Sequence, residues 1–268
     1  MKSHYLPEWN AFIRYYDLAG EGEPVVYLAG LSFSVLGSML SVATHPKLRD
    51  RRALLIDYLG SGFSDHPEDF GYTMEDHAKT VASVLDNEGL TGVTVVGHSM
   101  GGTVGILLAM ARPDLVSRLI VGEGNVTSGG GAATREIAAF NKDEYVDRVF
   151  PETAQKLRQS AIEGDAIGCR RNNLWATADP AGLHGNSTAL VGIDDSLLDA
   201  FLKLSIPRAF LYGEKTLPGG EVSVGPDAPD PDKLKEHGIS VGVIPDAGHG
   251  QMFDNLEGFV DVVSEAMN

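Results

Sequence analysis

The sequence predicts an α/β fold: a mostly parallel sheet flanked by helices, with a helical cap inserted into the strand order. Three observations carry this. Short apolar runs such as Ala53-Leu54-Leu55-Ile56 and Val93-Thr94-Val95-Val96 have the length and composition of strands buried on both faces. Stretches of helical periodicity alternate with them, which is the spacing of βαβ units and places ligands outside the carboxyl ends of the strands. From about Val126 to Leu204 the texture changes to helix-like segments with no buried-strand run. The domain reading is therefore a core made of residues 1–125 and 205–268, with residues 126–204 as the cap. At 268 residues, 43% hydrophobic and 22% charged, the chain can bury a large core.

Taken in order, Ala11 to Asp17 is rich in aromatic and β-branched residues and Val25 to Leu28 is apolar, so two strands joined by the turn at Gly20 to Pro24 are expected. A stretch that is helical in part runs to about Lys47, followed by the strand Ala53 to Asp57, which ends at Gly60-Ser61-Gly62. Met74, Ala78, Val81, Val84 and Leu85 recur at helical spacing, with Thr73 as cap and Gly89 as stop. The strand Val93 to Val96 leads into a helix from Met100 to Ala111, closed by Pro113, and another strand covers Arg118 to Val121. Gly129-Gly130-Gly131 and Asp179-Pro180-Ala181-Gly182 punctuate the cap, the first as a hinge. Strand character returns at Ile206 to Tyr212 and Ile239 to Ile244, on either side of a Pro- and Gly-rich loop from Leu217 to Pro231 long enough to move. One last helix is expected from Gln251 to Ala266.

A formal charge of −16 argues against nucleic acid as a partner, because a phosphate backbone would be repelled. The basic clusters, Lys47-Arg49-Arg51-Arg52 and Arg170-Arg171, read as solvated surface. Cys169 stands alone, so no disulfide calls for an oxidising compartment. Met1 to Asn10 holds no apolar run of signal-peptide length and no later stretch approaches a membrane span, so a cytoplasmic protein that does not engage the membrane is expected. No metal-ligand spacing and no phosphate-binding loop is present, so neither metal nor cofactor is expected.

The chemistry concentrates in Gly97-His98-Ser99-Met100-Gly101-Gly102, which stands between the strand at Val93 and the helix at Met100. This is the G-x-S-x-G elbow in its required setting of strand, sharp turn and helix. A serine on such a turn is strained, and side chains at Gly97 and Gly101 would collide with the backbone. The helix behind Ser99 points its free N–H groups at developing negative charge, and Met100 N–H is the natural oxyanion donor.

On these residues the chain resembles the α/β-hydrolase superfamily over nearly its whole length apart from the cap. Leu28-Ala29-Gly30-Leu31 occupies the place of the family's His-Gly-aromatic segment, with Ala29 where histidine is common. Ile56 to Ser64 matches its D-x-x-G-x-G-x-S loop, and Asp246-Ala247-Gly248-His249 matches the segment that delivers the histidine. The resemblance implies Ser99 as nucleophile, His249 as general base and Leu31 N–H as second oxyanion donor. His98 reads as a structural or pocket residue, and His4, His45, His66, His77, His184 and His237 lack a strand-end setting. The family's usual acid position, in the turn Gly213-Glu214-Lys215-Thr216, holds threonine. Glu123, at the end of the preceding core strand, keeps the order serine, acid, histidine and ranks first. Glu214 is the alternative acid, and both rank ahead of Asp227, Asp230 and Asp246.

The expected function is hydrolysis of an ester or related acyl bond in a small to medium, partly apolar substrate through an acyl-enzyme. Cleavage of a carbon–carbon bond or a lactone would need the same residues, and a ligand receptor of this fold with slow turnover is an alternative of another class. Substrate choice is assigned to the cap, where Phe140, Tyr145, Phe150, Leu157, Leu174 and Trp175 are candidates for an apolar pocket. Oligomeric state is not readable from the sequence.

Overall fold

The structure is a computed structural model and describes residues 1–31, 33–220 and 228–268. Eight strands form one sheet: β1 (Lys2–Leu6), β2 (Ala11–Leu18), β3 (Glu21–Leu28), β4 (Arg51–Asp57), β5 (Val93–His98), β6 (Val116–Gly122), β7 (Arg208–Gly213) and β8 (Ser240–Ile244). Their order across the sheet is β1-β2-β4-β3-β5-β6-β7-β8. The β1–β2 and β2–β4 pairs are antiparallel and every later pair is parallel.

The sequence stops explaining the sheet at its N-terminal end. β1 was not anticipated, because His4 and Lys2 interrupt its apolar character and most of the strand is exposed. The strands β2 and β3 follow each other across a tight turn, yet they do not pair: β4 lies between them. Burial explains the arrangement. β2 alternates buried and exposed residues over Ala11 to Tyr15, as suits a strand with one covered face, whereas Val25 to Leu28 of β3 are all buried and need neighbours on both edges. β4 and β5 supply those edges, Val25 pairing with Ala53 on one side and Thr94 on the other.

Helices α1 (Val35–Ala43), α2 (Met74–Asn87) and α3 (Met100–Ala111) connect the first strands. Thr73 caps α2 by accepting from Asp76 N at 3.1 Å, and Gly89 takes a φ of +63° just beyond its end, as the capping pattern predicts. Between β6 and β7 the chain forms α4 (Ala132–Ala138), α5 (Lys142–Glu144), α6 (Phe150–Ile162), α7 (Ala166–Trp175), α8 (Pro180–Val191) and α9 (Ser196–Lys203). Leu197, Leu198, Phe201 and Leu202 of α9 join the main core, together with Leu190 of α8. Phe140, Phe150 and Trp175 instead gather around Tyr145, Ile137 and Leu183 in a separate cluster that also touches Leu31.

After β7 come α10 (Pro231–Glu236), then β8, α11 (Gln251–Asp254) and α12 (Leu256–Ala266). The single terminal helix read from the sequence is in fact two. Asn255 breaks it with φ −147°, its side chain accepting from Gly258 N to cap α12 while its amide donates to the Pro245 carbonyl. Residues 221–227 of the Leu217 to Pro231 loop, Asp227 among them, lie outside the described residues. Among the described residues no helix is long and apolar enough to cross a membrane.

Candidate active site

Three strand ends deliver the residues singled out by the sequence to one edge of the sheet. Ser99 follows β5, Glu123 follows β6 and His249 lies in the loop after β8. Their side chains form a continuous chain: His249 Nε2 is 3.1 Å from Ser99 Oγ, and His249 Nδ1 is 2.7 Å from Glu123 Oε2. With Glu123 ionised, Nδ1 carries the proton and donates, which leaves Nε2 bare and aimed at the serine hydroxyl.

Backbone geometry explains how Ser99 is presented. It sits at φ +53°, ψ −121°, a conformation that costs an L residue energy and is over-determined here by its surroundings. Ser99 N donates to the Gly122 carbonyl at 2.8 Å, and its own carbonyl accepts from Gly102 N at 2.8 Å. The flanking glycines are steric necessities. A Cβ on Gly97 would stand 2.2 Å from the Gly101 carbonyl oxygen, and one on Gly101 would stand 2.3 Å from that of Leu28. Met100 is buried and opens α3; Leu31 follows Gly30, where an added Cβ would lie 3.4 Å from the Ser99 Cβ. Both oxyanion candidates are thus on segments that abut the serine.

Glu123 is also in the left-handed region, at φ +45° between Gly122 and Gly124, and its amide is anchored to the Leu211 carbonyl at 3.0 Å. Its side chain is 6% exposed, against 49% for that of His249. Burial alone would raise its pKa, but the hydrogen bond and charge of His249, the Thr216 hydroxyl and the Gly213 N–H outweigh it and hold the carboxyl below the usual range. Oε1 accepts from Gly213 N at 2.7 Å and from Thr216 Oγ1. The site therefore keeps a buried anion beside a half-exposed imidazole.

Two of the other acid candidates are occupied elsewhere. Glu214 accepts from Asp246 N at 2.8 Å, and Asp230 caps α10 through Asp232 N. Five other histidines bond away from the serine: His4 to Ser83, His45 to Glu257, His77 to Asn186, His184 to the Phe140 carbonyl and His237 to the Lys233 carbonyl. His98 is the exception, since its Nε2 donates to the His249 carbonyl at 2.7 Å. Sequence reading missed this bond and the Thr216 contact. The Gly-Glu-Lys-Thr turn after β7 was the available signal for the second, because it stands where an acid was expected.

The loop after β4 is explained by Asp57. Its buried carboxylate accepts from Val35 N at 2.7 Å, at the start of α1, and from Phe63 N at 3.1 Å. Gly62, at φ +61°, has no room for a Cβ, which would fall 2.2 to 2.4 Å from that carboxylate. Among the described residues no group of three His, Cys, Asp or Glu side chains is placed to hold a metal ion.

A family model described as alpha/beta hydrolase fold matches residues 27–165, just over half of the chain. The chain belongs to the α/β-hydrolase family. This α/β-hydrolase is 35% identical over 174 residues to haloalkane dehalogenase 2 of Mycobacterium tuberculosis, a match covering 60% of this chain and 59% of that protein. The chain thus spans about three fifths of the length of that relative. An sn-1-specific diacylglycerol lipase of Mus musculus is 27% identical over 254 residues, covering 90% of this chain and 79% of the lipase. Among solved structures, an esterase of Exiguobacterium antarcticum superposes with a TM-score of 0.75 at 22% identity, covering 99% of both chains, a likeness of fold.

Proposed function

We propose that this α/β-hydrolase cleaves an ester or related acyl bond through a Ser99–His249–Glu123 triad. The observation that carries the reading is the unbroken line of contacts from Ser99 Oγ through His249 to Glu123 Oε2, at 3.1 and 2.7 Å. In the first step His249 Nε2 takes the hydroxyl proton as Ser99 Oγ attacks the carbonyl carbon, and the N–H groups of Met100 and Leu31 receive the oxyanion. The imidazolium returns its proton to the leaving group. Water, deprotonated by the same nitrogen, then attacks the acyl-serine and frees the acid. Glu123 holds the ring in the Nδ1–H tautomer and stabilises its cation.

The same geometry argues against the halide displacement named for one relative. A serine oxygen that displaced a halide from an alkyl carbon would become an ether, with no carbonyl for water to attack, and the enzyme would stop after one event. An acyl-serine has that carbonyl. The cluster of Tyr145, Phe140, Phe150 and Trp175 beside Leu31 supports a small to medium substrate with an apolar portion. We assign the segment 126–204 the role of a cap over this site.

Hydrolysis of p-nitrophenyl acetate and butyrate tests the reading. Ser99→Ala and Glu123→Gln are expected to lose most turnover, by about 10³-fold or more, while Glu214→Gln stays near wild type. Full activity in Ser99→Ala would end the proposal, and one covalent adduct per chain without turnover would favour a receptor.

A further inference from the structure

We propose that Thr216 is a positioning residue for the acid: its hydroxyl, held at the end of β7, fixes the carboxylate of Glu123 so that Oε2 faces His249. The inference rests on the triad reading above and extends it to a residue outside the triad.

The two carboxylate oxygens have separate partners. Among the described residues Oε2 meets only the imidazole, whereas Oε1 receives Gly213 N–H at 2.7 Å and the Thr216 hydroxyl. Thr216 is buried, at 1% exposure, and its Oγ1 also lies 2.9 Å from the Gly213 carbonyl. The hydroxyl has one proton to give. If that proton went to the carbonyl, Oγ1 would turn a lone pair on an ionised carboxylate oxygen at hydrogen-bonding distance, a repulsive arrangement in a site of low polarity. The proton therefore goes to Glu123, and a carboxylate held by two donors on Oε1 cannot swing its other oxygen off the ring nitrogen.

The turn that carries Thr216 also holds the base. Lys215 N donates to the Ala247 carbonyl at 2.9 Å, two residues before His249. Gly213 packs so closely beneath that loop that a Cβ would fall 2.5 Å from the Gly248 oxygen and 2.6 Å from that of Ala247. One short turn, Gly213 to Thr216, thus sets the separation of acid and base while contributing neither. Its own carboxylate, Glu214, is engaged with the Asp246 amide.

The test compares Thr216→Ser, Thr216→Val and Thr216→Ala by kcat, KM and the pH profile of kcat/KM on p-nitrophenyl butyrate, with thermal melts to confirm folding. Removing a donor to a charged group is expected to lower kcat about tenfold in the Val and Ala variants, with KM little changed. Without the second donor Oε2 is no longer fixed on the ring nitrogen and supports the imidazolium less, so the acid limb of the profile moves to lower pH. Thr216→Ser keeps the hydroxyl and is expected to retain wild-type rate and profile. Wild-type kcat and pH profile in either folded variant lacking the hydroxyl would overturn the proposal, as would a serine variant no better than alanine. Ser99→Ala assayed alongside reports separately on the triad: if it stays active the parent reading falls, whereas its inactivity beside an unimpaired Thr216→Val removes only the positioning role.

Discussion

His98 donates its Nε2–H to the main-chain carbonyl of His249, 2.7 Å away, so the strand that ends at Ser99 also grips the loop that carries His249. Burial pushes the pKa of His98 down to about 4, and a neutral ring with its proton on Nε2 is the form that makes this bond. His98→Phe keeps an aromatic ring and leaves the carbonyl without its donor. The expected result is a drop in kcat of about tenfold with a small change in KM, read by steady-state kinetics. A fully active His98→Phe protein would show that the loop holds its position without the bond.

Relocating the acid is the second prediction. Glu123 and Thr216 reach the same space from adjacent strand ends, and glycine at 123 would relieve the positive φ. Glu123→Gly alone should lose at least about 10³-fold in kcat, and adding Thr216→Asp should restore about tenfold or more of that loss. Equal rates for the single and double variants would show that a carboxylate from β7 does not reach the imidazole.

Acid sensitivity provides a third. His77 is fully buried on α2, and burial lowers its pKa from 6.5 to about 4. The unfolded chain binds the proton that the folded chain refuses, so stability is fully present above pH 6.5 and declines as pH falls from there toward 4. The slope is about 1.4 kcal/mol per pH unit for one such group. His77→Gln should show a smaller fall in melting temperature between pH 7 and pH 5 than wild type. Parallel falls in the two proteins would assign the acid sensitivity to other groups.

Gly62→Ala is the fourth. The new methyl group would overlap the Asp57 carboxylate and impose φ +61° on an alanine. Displacing Asp57 from Val35 N and Phe63 N should cost more than about 2 kcal/mol in chemical denaturation. Gly37→Ala, where a Cβ meets nothing within 4 Å, serves as the control and should stabilise or leave α1 unchanged.

The central strands and the sharp turn at Ser99 were legible because their signals are local. Gly97 and Gly101 must be small to make the turn at all, and Val93 to Val96 are all buried. Glu123 was singled out by its place at a strand end and by the order serine, acid, histidine, which the family resemblance supplied rather than any local pattern. What escaped depends on contacts distant in sequence. Nothing near residue 11 says that residues 51–57 will separate β2 from β3, and nothing near Thr216 names Glu123 as its partner 93 positions away. The break at Asn255 was locally visible, since asparagine is a good N-cap, but the helical periodicity running through it masked the signal.

The insertion of β4 between β2 and β3 has a consequence for biosynthesis. As the chain leaves the ribosome, Val25-Val26-Tyr27-Leu28 emerges before either of its neighbours exists, for one edge waits on residues 51–57 and the other on residues 93–98. In the folded sheet these side chains are not covered by a hairpin with β2. Until residues 93–98 have followed it, this apolar strand lacks one of its two edges and is open to wrong pairing.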